Sequence, residues 1–216
     1  MRSQFNNQLK DLNVKLIKMG AMVQEIIEMT VKAVATLDLE LAKEVTGFDD
    51  QIDELELEIE MECMRLLALQ QPLAKDLRVI GTILKIITDL ERMGDNAVNI
   101  ANETLKIGES KLIKPLVDIP RMAQLSEAMV RKSLDAFMKE DIELALEVAK
   151  DDDAVDEIYE RIYFELIEMM IENPEIISQA TRLLFIGRYL ERISDHATNI
   201  GERIIFMVTG ELKKFN

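Results

Sequence analysis

The sequence predicts an all-α protein built as two tandem three-helix bundles, with six long helices in all. Three observations lead to this fold class. Glycine and proline supply only 8 and 4 of the 216 residues, and aromatic residues only 5%, whereas a β-sandwich or barrel needs turn residues roughly every 8–12 positions. Apolar residues recur every three or four positions over long stretches, which is the spacing of one helix face. The second half of the chain also repeats the first.

The repeat is clearest in two blocks of sequence. LERMGDNAVNIA from Leu90 and LERISDHATNIG from Leu190 share seven of twelve positions at an offset of 100. DDQIDEL from Asp49 aligns with DDAVDEI from Asp152 at an offset of 103. Two similar blocks in the same order indicate an internal duplication. We therefore expect a first repeat over residues 1–110, a linker over 111–120 and a second repeat over 121–216.

Four prolines mark the ends of helices in this plan. Proline lacks an N–H donor and clashes with the preceding helical turn, so it stops a helix. Pro72 and Pro174 fall within the two copies, and Pro115 and Pro120 fall between them. The predicted helices are 4–46 (bent or interrupted around Thr36–Asp38), 49–69 and 74–107 in the first copy, and 120–150 (with a break at Glu140), 152–171 and 175–211 in the second.

The net charge and the apolar content of the chain exclude two classes of function. Lys and Arg number 26 against 41 Asp and Glu, which gives a net charge of −15. Such a surface repels nucleic acid and anionic membranes, so we expect no nucleic-acid partner. The longest apolar runs, such as 204–208, are too short to cross a bilayer, and we expect a cytoplasmic protein without direct membrane insertion. The single cysteine, Cys63, cannot form an internal disulfide and is expected to pack in the core.

Two acidic pairs are the strongest functional signal. Glu91 and Asp95, like Glu191 and Asp195, are four residues apart and therefore lie on one face of a helix. Like charges at this spacing destabilise a helix by a few tenths of a kcal/mol unless a positive charge lies beside them. The pattern therefore predicts a bound cation in each copy.

The predicted hairpin turns place a second acidic pair opposite each of these two pairs. If Pro72 marks the turn, residues whose numbers sum to about 144 lie at the same height on the two helices, which places Asp49 opposite Asp95 and Asp53 opposite Glu91. Oxygen ligands of this kind suit iron, magnesium, manganese, zinc or calcium, and an asparagine one turn further along can add an amide oxygen. The predicted metal ligands are Asp49, Asp53, Glu91, Asp95 and Asn99 in the first copy and Asp153, Asp156, Glu191, Asp195 and Asn199 in the second.

The acidic residues also have a purely structural interpretation. The aspartates at 49–50 and 152–153 fall where we predict helices to begin, so they can act as N-caps and as acidic residues of a first turn. Arg92, Arg192 or Arg78 can neutralise the glutamates as salt bridges. A di-iron oxygenase is excluded, because its Glu-x-x-His pairs need two histidines and the chain has one, His196. Glycine-rich phosphate loops, nucleophile elbows and dinucleotide fingerprints are absent from the sequence, so we expect no enzyme activity.

Three segments resemble the PhoU family of bacterial phosphate-uptake regulators: QPLAKDLR from Gln71, DLERMGDNAVNIA from Asp89 and LERISDHATNIG from Leu190. The family's E-x-x-x-D motif, which binds metal ions in some members, corresponds to Glu91–Asp95 and Glu191–Asp195. The resemblance implies a cytoplasmic homodimer that contacts the ATPase subunit of the Pst phosphate transporter and a PhoR-type histidine kinase. The second copy departs from the QPLAKDLR pattern, since it reads NPEIISQATR from Asn173.

Two functions follow from these features. The first is a negative regulator of phosphate uptake and phosphate-responsive signalling, which acts as a metal-binding adaptor between the transporter and the kinase. The alternative is a helical-bundle protein that stores or buffers metal ions. A count of metal ions per chain separates the two.

Overall fold

The computed structural model describes residues 2–215, with side chains from residue 4, and in this part of the chain it contains six long α-helices and no strand. This confirms the predicted all-α fold. The helices are α1 (Arg2–Thr36), α2 (Leu39–Gln70), α3 (Ala74–Ile107), α4 (Asp118–Lys139), α5 (Ile142–Glu172) and α6 (Ile177–Thr209), and a short 3-10 turn (Pro174–Ile176) precedes α6.

The first two helices of each repeat are joined by the same kind of turn. Leu37 and Glu140 each adopt a left-handed backbone conformation with φ of 53°. The next residue caps the following helix, since the side chain of Asp38 accepts from the Leu41 N–H at 3.0 Å and that of Asp141 from the Leu144 N–H at 3.1 Å. Asp at the N-cap satisfies an N–H group that the helix itself leaves free.

These caps correct the predicted helix boundaries. The interruptions expected within the helices 4–46 and 120–150 are the true ends of α1 and α4, while α2 and α5 run without a break through residues 46–49 and 150–152. The aspartates at 49–50 and 152–153 therefore lie about three turns inside a helix, so the interpretation of them as N-caps is wrong. At the ends, α4 begins at Asp118 rather than 120, and α6 ends at Thr209 rather than 211. The third helix spans 74–107 as predicted.

Helices α1–α3 and α4–α6 form the two bundles, which share one continuous apolar core that includes Cys63. The bundles meet where α3 packs along α6 and α1 packs against α4. Helices α3 and α6 run antiparallel: Arg78, near the start of α3, donates to the carbonyl oxygen of Met207 at 3.0 Å, and Arg182, near the start of α6, donates to the carboxylate of Glu103 at 3.0 Å. This arrangement leaves α2 and α5 as the outer helices. None of the described helices is long and apolar enough to span a membrane.

Candidate cation-binding sites

The first acidic cluster lies between α2 and α3. Asp49 and Asp53 project from α2, and Glu91 and Asp95 project from α3. Burial raises the pKa of Asp49 from its usual 3.8 to about 7, and the charges of Asp53, Asp95, Glu91 and Asp50 raise it further. Burial also raises the pKa of Glu91, with Asp95 contributing next. The structure thus brings these four predicted carboxylates into one neighbourhood.

The second acidic cluster lies between α5 and α6 and contains Asp152, Asp156, Glu191 and Asp195. Burial raises the pKa of Asp152 to about 6; the Ser194 hydroxyl acts in the opposite direction, and Asp156 and Asp195 raise the pKa further. The pKa of Glu191 rises to about 7, again chiefly through burial and then through Asp195. In each repeat, burial and like charges therefore favour the protonated form of these carboxyls unless a positive group lies beside them.

One predicted ligand is misplaced. Asp153 is exposed, and the half-buried residue that faces Glu191 is its neighbour Asp152. The sum of residue numbers predicts height along a hairpin but not direction around the helix, and neighbouring residues point about 100° apart. The 3-10 turn at Pro174–Ile176 also makes this connection unlike the one at Pro72. The repeat alignment, which pairs Asp152 with Asp49, indicates the half-buried aspartate.

The two asparagines differ in their surroundings. The side-chain amide of Asn199 donates to the carboxylate of Asp89 on α3 at 3.5 Å, so it faces the other repeat. The same Asp89 oxygen lies 3.0 Å from Nδ1 of His196. Asn99 is half-buried one turn beyond Asp95. In the structure Asn199 therefore contacts the first repeat, and its part in the second acidic cluster stays a prediction.

Arginines neutralise part of each cluster. Arg92 lies 3.3 Å from the carboxylate of Glu91 and 2.9 Å from that of Asp95, and Arg188 pairs with Glu191. Arg78, another expected partner, instead donates to a backbone carbonyl of α6.

The inner aspartates remain without a positive partner. Within the described chain, no salt bridge reaches Asp49 or Asp152. Their Oδ1 atoms and Oε2 of Glu191 are buried and accept no hydrogen bond from the described residues, although the Ser194 and Thr198 hydroxyls lie near enough to Asp152 to lower its pKa. Buried polar atoms are almost always paired, and an unpaired one costs about 1–3 kcal/mol, more when it is charged. Three such oxygens in two acidic clusters fit a cation as the missing partner.

In the structure, the carboxylates of neither acidic cluster are arranged to surround a cation. No three carboxylate, histidine or thiol groups of residues 4–215 converge closely enough to ligate one cation. Asp53 and Asp156 are exposed at the rim of the two clusters. Cation binding in either repeat therefore requires a side-chain rearrangement at the rim.

Gly94 makes room for the first cluster. A Cβ atom at this position would collide with Oδ1 of Asp49 and would lie 3.5 Å from Cδ1 of Ile52. In the second repeat the equivalent residue is Ser194, whose hydroxyl donates to the carbonyl oxygen of Glu191 at 2.7 Å. Asp49 thus packs directly over the backbone of α3, whereas Asp152 shares its space with a hydroxyl group.

We expect Gly94→Ala to displace the Asp49 carboxylate and to weaken cation binding in the first repeat about tenfold or more, since one misplaced ligand or supporting group costs about that much. Titration calorimetry with Mn²⁺ measures the effect. Gly81→Ala is the matched control, because a Cβ there meets nothing within 4 Å; it should leave affinity unchanged and stabilise α3 by about 1 kcal/mol. Equal Mn²⁺ affinity in the two variants would contradict the assignment.

Glu56 is a further acidic residue of the first cluster that the sequence reasoning missed. Burial raises its pKa, Glu60 and Asp53 raise it further, and its charge in turn raises the pKa of Glu91. It lies three residues after Asp53, and this helical spacing was the available signal. The second repeat has Tyr159 at the equivalent position, so the two clusters are not identical in composition.

The match to a family domain and the matches to individual proteins point to the same family. The PhoU domain matches the chain twice, over residues 16–104 and 119–204. A phosphate-specific transport system accessory protein PhoU homolog from Clostridium acetobutylicum is 39% identical over 216 residues, covering 100% of this chain and 99% of that protein. A homolog of the same description from Aquifex aeolicus is 42% identical over 207 residues, covering 96% of this chain and 94% of that protein.

Solved structures show the same fold. The crystal structure of PhoU from Pseudomonas aeruginosa matches with a TM-score of 0.91 and 39% identity, covering 96% of this chain and 100% of that one. The crystal structure of the phosphate transport system regulatory protein PhoU from Streptococcus pneumoniae matches with a TM-score of 0.91 and 33% identity, covering 98% and 100%. Since the family's domain occurs in both repeats and its members align along nearly the whole chain, the protein belongs to the PhoU family.

Proposed function

We propose that the protein is a non-enzymatic, cation-dependent negative regulator of phosphate uptake and phosphate-responsive signalling. The observation that carries the cation dependence is the set of buried, unpaired carboxylate oxygens of Asp49, Asp152 and Glu191. The regulatory role is supported by the names of the relatives, which describe an accessory protein and a regulatory protein of a phosphate transport system.

The acidic clusters would hold the cations through Asp49, Asp53, Glu91 and Asp95 in the first repeat and Asp152, Asp156, Glu191 and Asp195 in the second. A bound cation supplies positive charge to carboxylates that otherwise repel one another. The residues of α2 and α5 would then be tied to those of α3 and α6, so cation loading would fix the outer helices against the central pair. The donor set is oxygen only, which suits magnesium, manganese, calcium or iron.

The regulator would act in the cytoplasm as a homodimeric adaptor. Its proposed partners are the ATPase subunit of the Pst phosphate transporter and a PhoR-type histidine kinase. The absence of catalytic motifs in the sequence supports an adaptor over an enzyme, and the acidic surface argues against nucleic acid as a partner.

Gene replacement tests the proposal in the native organism. Deletion should raise both phosphate uptake and a phosphate-responsive reporter in phosphate-replete medium, and the Asp49→Asn, Asp152→Asn variant should behave like the deletion. The control is Asp50→Asn, Asp153→Asn, which removes the same charge from exposed neighbours and should regulate normally. Unchanged uptake and unchanged reporter activity in the deletion strain would contradict the regulatory role.

Metal stoichiometry separates this function from metal storage. Two occupied clusters predict a few ions per chain by elemental analysis of the purified protein. Several tens of ions per chain would instead indicate a storage or buffering protein.

A further inference from the structure

The outer surface of α5 carries two exposed rings beside a partly buried one, and we call this group the aromatic face: Tyr163, Phe164 and Tyr159. Tyr163 is 44% exposed and Phe164 is 57% exposed. The rings of these two residues meet edge to face, with centroids 5.6 Å apart and planes inclined by 84°. Large exposed aromatic residues are enriched where proteins bind partners.

The first repeat shows that a bundle of this kind does not need the two exposed rings. At the offset of 103, the equivalent residues of α2 are Glu56, Glu60 and Met61. Tyr159 packs over Gly187 of α6 and so contributes to the packing of this helix pair. Tyr163 and Phe164 are exposed and have Glu60 and Met61 as counterparts, so the packing of α5 does not account for these two rings. The role of Tyr163 and Phe164 therefore belongs to the second repeat alone.

Acidic groups surround the rings. A shallow cleft of about 470 Å³ is lined by the aromatic face together with four carboxylates. These belong to Asp156, Glu157, Glu160 and Glu191. Rings and carboxylates side by side offer two complementary contacts to a positive group: the negative face of an aromatic ring and a charge-assisted hydrogen bond.

We propose that the aromatic face binds a segment of a partner protein that carries lysine or arginine side chains. The alkyl stem of such a side chain packs on Tyr163 and Phe164, while its charged head reaches Glu157 or Glu160. A second copy of the chain is a poorer occupant, because an isologous contact at this face would bring the same carboxylates against one another.

This inference deepens the proposed regulatory function by naming the chemistry of the partner segment, and it rests on that function only for the existence of a partner. Two of the four carboxylates, Asp156 and Glu191, also belong to the second acidic cluster. Glu157 and Glu160 do not, so a test that uses them and the rings leaves the candidate cation site intact.

Two synthetic amphipathic helical peptides serve as probes, one with leucine and arginine and one with leucine and glutamate. Fluorescence anisotropy at physiological ionic strength is expected to show binding of the arginine peptide only. Tyr163→Ala with Phe164→Ala should weaken that binding about tenfold, since several cation–ring contacts are lost. Glu157→Gln with Glu160→Gln should weaken it to a similar extent.

The first repeat supplies matched controls. Glu60→Ala with Met61→Ala alters the equivalent positions of α2, and Glu54→Gln with Glu60→Gln removes the same charge; both should bind the peptide as the unmodified chain does. Chelator-treated protein should also bind the arginine peptide. The outcome of this experiment is therefore distinguishable from a failure of the proposed cation sites. Equal weakening by the controls, equal binding of both peptides, or loss of binding on chelation would overturn the inference. So would conversion of a dimer to a monomer by the Tyr163, Phe164 variant without loss of peptide binding, which would assign the face to a second copy.

Discussion

Replacing Asp49 and Asp152 by asparagine is expected to raise the melting temperature of the metal-free protein at pH 8 and to remove the part of its pH dependence that these two carboxyls contribute. In the folded protein the pKa of Asp49 is about 7 and that of Asp152 about 6, against a usual 3.8 for both. The folded state therefore holds protons more tightly than the unfolded state. The contribution of these two carboxyls to stability is therefore greatest below about pH 4 and is lost as the pH rises through 4–7.

The expected gain at pH 8 is about 1–2 kcal/mol for each site, after discounting the pKa shifts for solvent screening, because both carboxyls are only half-buried. For a chain of this size that corresponds to a rise of several degrees in melting temperature. Thermal unfolding followed by circular dichroism, in chelator and from pH 5 to pH 8, measures it.

The same double variant should lose tight cation binding, because the inner ligand of each cluster becomes neutral. Asp50→Asn with Asp153→Asn is the control, since it removes two exposed charges from the same helices. The control should shift the melting temperature little and retain cation affinity. A double variant of Asp49 and Asp152 that is less stable than the control at pH 8 in chelator would contradict the account of the inner aspartates.

Arg182→Ala is expected to cost about 2–4 kcal/mol of unfolding free energy, because it leaves a buried charge partly uncompensated. Glu103 on α3 is 5% exposed. It pairs with Lys106 at 2.6 Å on its own helix and with Arg182 on α6 at 3.0 Å. Lys106 remains in the variant and limits the loss, but one of the contacts between the two repeats is gone.

Urea denaturation measures this loss, and two further variants interpret it. Adding Glu103→Gln to Arg182→Ala should restore part of the stability, because a neutral amide is cheaper to bury than an unpaired carboxylate. Arg161→Ala removes an arginine from a longer and more exposed pair with Asp118, 3.5 Å apart, and should cost under about 1 kcal/mol. Similar losses in Arg182→Ala and Arg161→Ala would show that the Glu103 contact does not hold the repeats together.

The fold was largely predictable because its signals are redundant along the chain. The scarcity of glycine and proline, the apolar spacing of α3 and α6, and the repeat at offsets of 100 and 103 all indicate the same two bundles. Pro72 marked the start of α3, and its predicted extent of 74–107 is confirmed. The first turn of each repeat was predicted only as an interruption within a longer helix, because Leu37 and Glu140 are not residue types that normally mark a left-handed turn.

The candidate sites were predictable in location but not in detail. Helical spacing and the hairpin register placed Asp49, Asp53, Glu91 and Asp95 together, but height alone did not distinguish Asp152 from Asp153. The turn of Asn199 toward Asp89 depends on how the repeats pack against each other, which local spacing does not encode. The space that Gly94 leaves for Asp49 is likewise a property of the packed helices.

Anomalous diffraction tests the central claim most directly, which is that each repeat binds a cation between its outer and inner helices. Crystals grown with Mn²⁺ and measured at the manganese edge should show one anomalous peak beside Asp49 and Glu91, between α2 and α3, and another beside Asp152 and Glu191, between α5 and α6. Peaks only at other positions, or no peak at either cluster in crystals of protein that binds Mn²⁺ in solution, would contradict it.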